Sequence, residues 1–245
     1  MDSGFYAACA GLRAQSQALE VSAHNLANLN TVGYRAQQTS FQSLLALARP
    51  FVPNVLNLAT NNFGVLEGTR LDLAAGNLEN TGNPLDLGIE GPGFFAIQTS
   101  RGTRYTRNGS FRISSRGELV TASGDPVLAE NGSVLRVPSG AVSISADGTI
   151  SVNSAVVGKI RLVEFPPDTK LVSESGTLLV APDGSGRPAR RTSLQPGTLE
   201  ASNVNSISAV VTLIGVQREA EMMQRALSTF YSEFNRIAAN DLPRV

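Results

Sequence analysis

Two stretches at opposite ends of the chain carry the same helical pattern, and this pattern constrains the fold more than any other feature. Side chains that are mostly apolar or small recur at alternating steps of three and four residues, which places them on one narrow stripe of an α-helix. The N-terminal stripe consists of Phe5, Ala8, Leu12, Gln15, Leu19, Ser22, Leu26 and Leu29. The C-terminal stripe consists of Leu213, Val216, Ala220, Met223, Leu227, Phe230, Phe234 and Ile237. One such stripe is typical of a helix on an ordinary core, but two at the termini predict that the ends pair with each other or with other copies.

The region between the two stripes has a β pattern. Strand-like runs from about Pro84 to Leu199 are separated by turn pairs: Asn108-Gly109, Arg116-Gly117, Gly124-Asp125, Asn131-Gly132 and Asp147-Gly148. The predicted fold class is therefore α+β, with long N- and C-terminal helices pairing as a coiled coil and a central all-β domain. The predicted domains are an N-terminal coiled-coil helix at 1–34, an extended connecting segment at 35–83, the central β domain at 84–199 and a C-terminal coiled-coil helix at 200–245.

Charge and composition favour assembly over nucleic-acid binding. The 245 residues include 20 Lys and Arg and 20 Asp and Glu, so the formal net charge is zero. Phosphate binding needs clustered excess cations, whereas a near-zero net charge removes the repulsion that keeps proteins apart. Between Ser3 and Tyr34 the only formal charges are Arg13 and Glu20, which indicates a helix contacted on several sides.

No catalytic, cofactor or metal site is predicted. The single cysteine, Cys9, and the single histidine, His24, would lie roughly 22 Å apart on a continuous helix at 1.5 Å per residue. Gly91-Pro-Gly93 precedes a strand instead of a phosphate-binding helix, so it is interpreted as a turn. Asp86 and Glu90 give no sign of facing one cleft, and Ser110 lacks the glycines and downstream histidine of a nucleophile elbow.

The N-terminus has no basic start or continuous apolar run typical of a secretory signal. No segment approaches the roughly 18 apolar residues of a membrane span, so direct membrane insertion is not expected. If the protein acts outside the cytoplasm, we expect it to be exported without a cleaved signal peptide.

Four segments in order resemble the rod proteins of the bacterial flagellar basal body. They are Asn25-Leu-Ala-Asn28-Leu-Asn-Thr31-Val-Gly33-Tyr34-Arg35; Pro84-Leu-Asp86-Leu with Ile89-Glu-Gly91-Pro-Gly93-Phe94-Phe95; Tyr105-Thr-Arg107-Asn-Gly109-Ser-Phe111 with Gly117-Glu-Leu119-Val120; and Leu199-Glu200-Ala-Ser202-Asn203-Val204-Asn205. Together they span nearly the whole chain. Within the family the resemblance is to the proximal rod members, with distal rod members or other hook-type axial subunits as the alternative.

The resemblance implies a non-enzymatic axial subunit in the periplasm-spanning rod of the flagellar basal body. Its implied partners are copies of itself, other flagellar axial proteins and the flagellar type III export apparatus. The terminal helices would transmit torque and line the export channel, with the large apolar members of the two stripes, which exclude Ala8 and Ala220, as the assembly seam. The family-motif residues carried over are Asn25, Asn28, Thr31, Gly33, Tyr34, Ser202, Asn203, Val204 and Asn205.

Two other readings stay open at this point. An enzyme built on the β region would need a pocket lined by Asp86, Glu90 and Arg107, and a self-contained binding module would keep both terminal helices folded in the monomer. For Asn25 and Asn28 we predict hydrogen bonds to a neighbouring subunit, with a role at the end of the first helix as the alternative.

Overall fold

Two long helices stand at the ends of the described chain. The computed structural model describes residues 2–43 and 64–241, with helix α1 at Asp2–Ala27 and helix α2 at Ser206–Asp241. Asn205 caps α2, because its Oδ1 accepts the backbone N–H of Ser208 at 3.0 Å. Asn203, two residues earlier, has a different role that is described below.

The predicted coiled coil is wrong: the two helices lie against each other, but no coiled coil is evident in the described residues. Gln15 Nε2 donates to the carbonyl oxygen of Val216 at 3.2 Å and to Glu219 Oε2 at 2.7 Å. Gly11 lies beside Met223, whose Cε would be 3.3 Å from a Cβ at that glycine. A coiled coil needs apolar side chains inserted into four-residue holes, whereas here a polar side chain within the stripe bonds to the facing backbone.

Seventeen strands lie in the described part of the chain. They are β1 (Gln37–Ser43), β2 (Gly64–Leu71), β3 (Leu78–Asn80), β4 (Leu87–Glu90), β5 (Gly93–Thr99), β6 (Gly102–Thr106), β7 (Phe111–Ile113), β8 (Leu119–Thr121), β9 (Val142–Ile144), β10 (Thr149–Val152), β11 (Ala155–Lys159), β12 (Leu162–Glu164), β13 (Val172–Ser175), β14 (Leu178–Val180), β15 (Arg187–Pro188), β16 (Ser193–Pro196) and β17 (Thr198–Glu200).

The described residues fall into two compact units. The first consists of the described residues within Met1–Leu26, Gln37–Thr69 and Asn205–Val245, and the second of Ala27–Ala36 and Arg70–Val204. Strands β1 and β2 pair with each other. The domain boundaries given above from the sequence stay a prediction.

The second unit contains a six-stranded sheet in the order β13-β14-β6-β5-β12-β15, a three-stranded sheet β11-β10-β9 and the pairs β16-β4, β17-β3 and β7-β8. The neighbouring strands for which a register is defined run antiparallel, such as β5 and β6 with Phe95 opposite Thr106. Each of Arg116-Gly117, Gly124-Asp125, Asn131-Gly132 and Asp147-Gly148 places its glycine at positive φ. The fifth pair is Asn108-Gly109, and its glycine has a different cause. A Cβ on Gly109 would lie 1.8 Å from the carbonyl oxygen of Leu87, so the close approach of that backbone requires glycine.

The core of the second unit is built around β5. Phe95 and Ile97 pack in the main apolar cluster, while Phe94 and Ala96 belong to two smaller clusters. Both faces of this strand are therefore covered, which explains its continuous apolar run. The rings of Phe95 and Phe111 meet edge to face with centroids 4.9 Å apart, and each buried aromatic or aliphatic side chain contributes about 1.5–3 kcal/mol.

Neither helix of the described residues combines the length and the apolar character that a membrane span requires.

Candidate functional site

The N- and C-terminal family motifs meet inside the second unit. The Gly33 N–H donates to the carbonyl oxygen of Glu200 at 2.7 Å, and the Asp72 N–H donates to that of Ala36 at 2.8 Å. A third segment closes the arrangement, because the Ala201 N–H donates to the carbonyl oxygen of Asn77 at 2.8 Å. We call residues 31–36, 72–77 and 198–204 the motif junction.

A buried ionic cluster lies at the centre of the motif junction. Arg35, Arg107 and Glu200 are 3%, 2% and 0% exposed. Glu200 Oε1 accepts from Arg35 Nη2 at 2.7 Å and from the Gly76 N–H at 2.8 Å, while its Oε2 accepts from Arg107 Nη1 at 3.2 Å. We call Arg35, Arg107 and Glu200 the buried triad.

Each arginine of the triad also binds a backbone carbonyl. Arg35 Nη1 donates to Ala74 O at 2.7 Å, and Arg107 Nη2 donates to Gly91 O at 2.6 Å. The Arg107 guanidinium carbon lies 4.8 Å from the centre of the Phe94 ring, a favourable cation–π position. The two Nε atoms have no hydrogen-bond partner within the described residues.

The triad carries two cations against one carboxylate. Burial lowers the pKa of Arg107 to about 10, and the nearby charge of Arg35 acts in the same direction, whereas Glu200 opposes the shift. Among the described residues, Glu200 is the only carboxylate that forms ion pairs with these two arginines. The sequence motifs contain all three residues, but nothing in their spacing indicated that they meet.

Asn203 joins the three segments of the motif junction through its side-chain amide. Its Oδ1 accepts the Ala36 N–H at 2.7 Å, and its Nδ2 donates to the carbonyl oxygens of Asp72 and Ala74 at 2.9 and 3.0 Å. One side chain thus forms hydrogen bonds with three backbone groups that lie outside the paired strands. Ser202 has a smaller role, because its Oγ accepts the Val204 N–H at 3.3 Å.

Gly33 and Tyr34 show why the N-terminal motif needs these residue types. Gly33 has a φ of +68°, and a Cβ there would lie 2.3 Å from the backbone nitrogen of Asn108. Only glycine combines this conformation with so close an approach. Tyr34 is 1% exposed, and burial raises its pKa to about 12.

The amide of Asn25 is engaged within its own unit. Its Nδ2 donates to Gln37 O at 2.7 Å, and its Oδ1 accepts the Gln37 N–H at 2.8 Å. In the second unit, Thr31 donates to Asn28 through its hydroxyl to Oδ1 and through its N–H to the carbonyl, both at 3.1 Å. The bonds predicted between these two residues and a neighbouring subunit stay a prediction.

The structure places the described members of the assembly seam at half-buried positions. These are Leu12, Leu19, Leu26, Leu29, Leu213, Val216, Met223 and Leu227. The side chains of the other four seam residues lie outside the described set: Phe5, Phe230, Phe234 and Ile237. The role of the seam in assembly stays a prediction.

Of the three residues whose shared pocket would support an enzyme, two are buried in other contacts and one is exposed. Asp86 is buried and accepts from the Thr81 hydroxyl at 2.7 Å and from Asn83 Nδ2 at 3.0 Å. Glu90 is exposed at the end of β4, and Arg107 belongs to the buried triad. Among the described residues, no group of three or more His, Cys, Asp and Glu is placed to hold a metal ion.

Three family models match the chain, and together they cover both termini and part of the β region. Residues 5–35 match the flagella basal body rod protein family, and residues 88–152 match the flagellar hook protein FlgE/F/G D1 domain. Residues 195–232 match the C-terminal domain of the flagellar basal body rod FlgEFG proteins. Each residue of the buried triad lies in a different one of these regions.

Full-length relatives agree with the family models. The chain is 33% identical over 226 residues to the flagellar basal-body rod protein FlgF of Mesorhizobium japonicum, covering 90% of each chain. It is 32% identical over 248 residues to FlgF of Escherichia coli, covering 94% of each chain. The basal-body rod protein FlgG of Buchnera aphidicola is 31% identical over 245 residues, covering 89% of this chain and 92% of that one.

These matches confirm the resemblance inferred from the motifs. The FlgG alternative is not better supported than FlgF. Rod proteins of this family are part of the flagellar basal body and are structural. The chain therefore belongs to the bacterial flagellar basal-body rod proteins, as a FlgF-like member.

Proposed function

We propose that this chain is a non-enzymatic axial subunit that assembles helically through its terminal helices. Its partners are copies of itself and other flagellar axial proteins, and it reaches the rod through the flagellar type III export apparatus. In the assembly, the helices transmit torque and line the export channel. The family supplies the structural role, and the surface of α2 supports the assembly contacts.

The observation that carries this proposal is the amount of apolar surface that α2 leaves uncovered. Exposed large side chains occupy several of its turns, in addition to the half-buried seam. They are Ile207 (76% exposed), Val211 (64%), Ile214 (46%) and Met222 (62%). A helix with apolar side chains outside its contact stripe is typical of one covered on more than one side.

Coverage of these side chains by a neighbour is favourable. Each large apolar side chain contributes about 1.5–3 kcal/mol when it becomes fully buried. Several such side chains on one 36-residue helix supply a driving force that the separate subunit does not use. The proposal therefore assigns α2 to contacts between subunits.

The test is a charge placed in the seam. Leu227→Asp introduces a carboxylate at a half-buried seam position, where an unpaired charge is costly. The matched control is Ser228→Asp, at an exposed polar position of the same turn that belongs neither to the seam nor to the exposed apolar residues, and whose hydroxyl donates to Arg225 O of its own helix. In cells that lack the natural gene, Leu227→Asp should abolish swimming and rod assembly, whereas Ser228→Asp should preserve both.

Folding is measured separately from assembly. Leu227 lies in the first unit, so calorimetry of the purified variant should find an unchanged melting transition for the second unit. Normal swimming by the Leu227→Asp strain would contradict the seam assignment. A lowered transition of the second unit would instead attribute the loss to misfolding.

A further inference from the structure

A groove of about 420 Å³ opens on the second unit, apart from the motif junction. It lies between the chain around β11 and β12 and the segment that contains β15. Its volume is in the range of about 300–1,000 Å³ found for ligand sites. We call it the basic groove, and its charged lining residues are Lys159, Arg161, Arg187, Arg190, Glu130 and Asp147.

The charges of the basic groove are unbalanced. Lys159 Nζ lies 3.9 Å from Asp147 Oδ2, which leaves the three arginines and Glu130. Within the described residues, the guanidinium groups of Arg161, Arg187 and Arg190 form no ion pair or side-chain hydrogen bond, and all three side chains are exposed. In a chain of zero formal net charge, this is a local excess of positive charge.

The backbone of the segment that carries Arg187 and Arg190 is firmly held. Glu164 Oε1 accepts the N–H groups of Arg190 and Arg191 at 3.0 and 2.8 Å and the Thr192 hydroxyl at 2.8 Å. In addition, the Ala189 N–H donates to the carbonyl of Leu162 at 3.1 Å. The backbone at this side of the groove is therefore held before a ligand arrives, so binding requires little ordering of the backbone.

We propose that the basic groove binds an acidic peptide segment of another protein chain, whose carboxylates pair with Arg161, Arg187 and Arg190. The planar guanidinium group matches a carboxylate through two parallel hydrogen bonds. This inference goes beyond the proposed function, because it concerns the β unit and not the terminal helices.

Two observations favour a peptide over other anions. Glu130 would repel a polyphosphate along part of the groove, whereas a peptide can place its carboxylates only beside the arginines. None of the described residues that line the groove is aromatic, so the groove has no stacking surface for sugars or bases.

The test uses the full-length purified chain and a fluorescent hexapeptide of alternating aspartate and glutamate. Binding is measured by anisotropy, with the corresponding asparagine–glutamine peptide as the neutral probe. The variant is Arg187→Gln combined with Arg190→Gln, and the matched control is Arg116→Gln, which removes an exposed arginine outside the groove. We expect the double variant to bind the acidic peptide at least about tenfold more weakly, since charge-assisted hydrogen bonds are lost.

Location and anion class are tested together. Hydrogen exchange should find added protection at residues 159–163 and 186–192 when the acidic peptide is bound. The proposal is overturned if the neutral peptide binds equally well, if Arg116→Gln weakens binding as much as the double variant, or if protection appears elsewhere. Tighter binding of inorganic triphosphate than of the peptide would also overturn it, in favour of a phosphate site. None of these results affects the assignment of the terminal helices, which the swimming assay tests independently.

Discussion

Replacing Glu200 by glutamine should strongly destabilise the second unit. The change removes the negative charge that faces two arginines in a site where all three side chains are at most 3% exposed. Breaking a buried ion pair by removing one partner costs about 3–5 kcal/mol, because the remaining charge stays buried. Glutamine can keep one acceptor for the Gly76 N–H, so we expect a loss of about 3 kcal/mol, near the lower end of that range.

The measurement is the free energy of unfolding of the second unit by chemical denaturation, with calorimetry as a second probe. A loss of about 3 kcal/mol corresponds to a fall in melting temperature of roughly 6–12 °C for a unit of this size. The matched control is Glu90→Gln, which neutralises an exposed carboxylate on β4 and should change stability by less than about 0.5 kcal/mol.

A third variant separates the ion pairs from simple packing. Arg35→Met, Arg107→Met and Glu200→Leu together remove every charge of the triad while keeping much of its volume. Buried ionic clusters replaced in this way are often as stable as the original, so the triple variant should recover much of the stability lost in Glu200→Gln. The reasoning would be refuted if Glu200→Gln unfolded at the same denaturant concentration as the natural chain.

Two further predictions concern the N-terminal motif. The pKa of Tyr34 is about 10 in the unfolded chain, and burial raises it to about 12 in the folded protein. The contribution of neutral Tyr34 to the free energy of unfolding is therefore complete below about pH 10. It is lost as the pH rises to about 12, by about 1.4 kcal/mol per pH unit. Tyr34→Phe should remove this alkaline loss from the free energy of unfolding, measured by urea denaturation at a series of pH values. Arg107 gives a slope of opposite sign, but it is present in both proteins and cancels in the comparison. Identical slopes of unfolding free energy against pH in the two proteins would disprove the assignment. Gly33→Ala should lower the unfolding free energy by at least about 1 kcal/mol, because a Cβ there is incompatible with both φ and the Asn108 backbone. The control is Gly184→Ala, which shares a positive φ but has nothing within 4 Å of its Cβ, so an equal loss in both would attribute the effect to φ alone.

The sequence predicted the elements better than it predicted their partners. Periodicity identified both terminal helices and the half-buried stripe of α2. It shows only which side chains share one face of a helix, and not what that face contacts. It could not show that Gln15 would bond to the carbonyl of Val216, and so it overestimated the likeness to a coiled coil. The Asn108-Gly109 pair has the composition of a turn, yet Gly109 is required by the close approach of the Leu87 backbone.

The buried triad was beyond prediction for a different reason. Glu200 is separated from Arg35 by 165 residues and from Arg107 by 93, and no local pattern connects charges over such distances. A charged residue inside an otherwise uncharged motif was the one available signal. The family motifs held the correct residues, but their shared site emerges only from the folded chain.

The distance along the chain between Arg35 and Glu200 has a consequence for the order of folding. Most of the second unit is synthesised before Glu200, so the core strands of this unit can pair early. Arg35 and Arg107 cannot form their ion pairs until Glu200 is present. Closing so long a loop is entropically unfavourable and slow compared with forming the local hairpins. A chain that ends before residue 198 would have to bury two cations without a carboxylate, or leave that part of the structure open. Completion of the second unit thus requires the chain as far as Glu200, so a chain that ends earlier cannot present this unit in finished form.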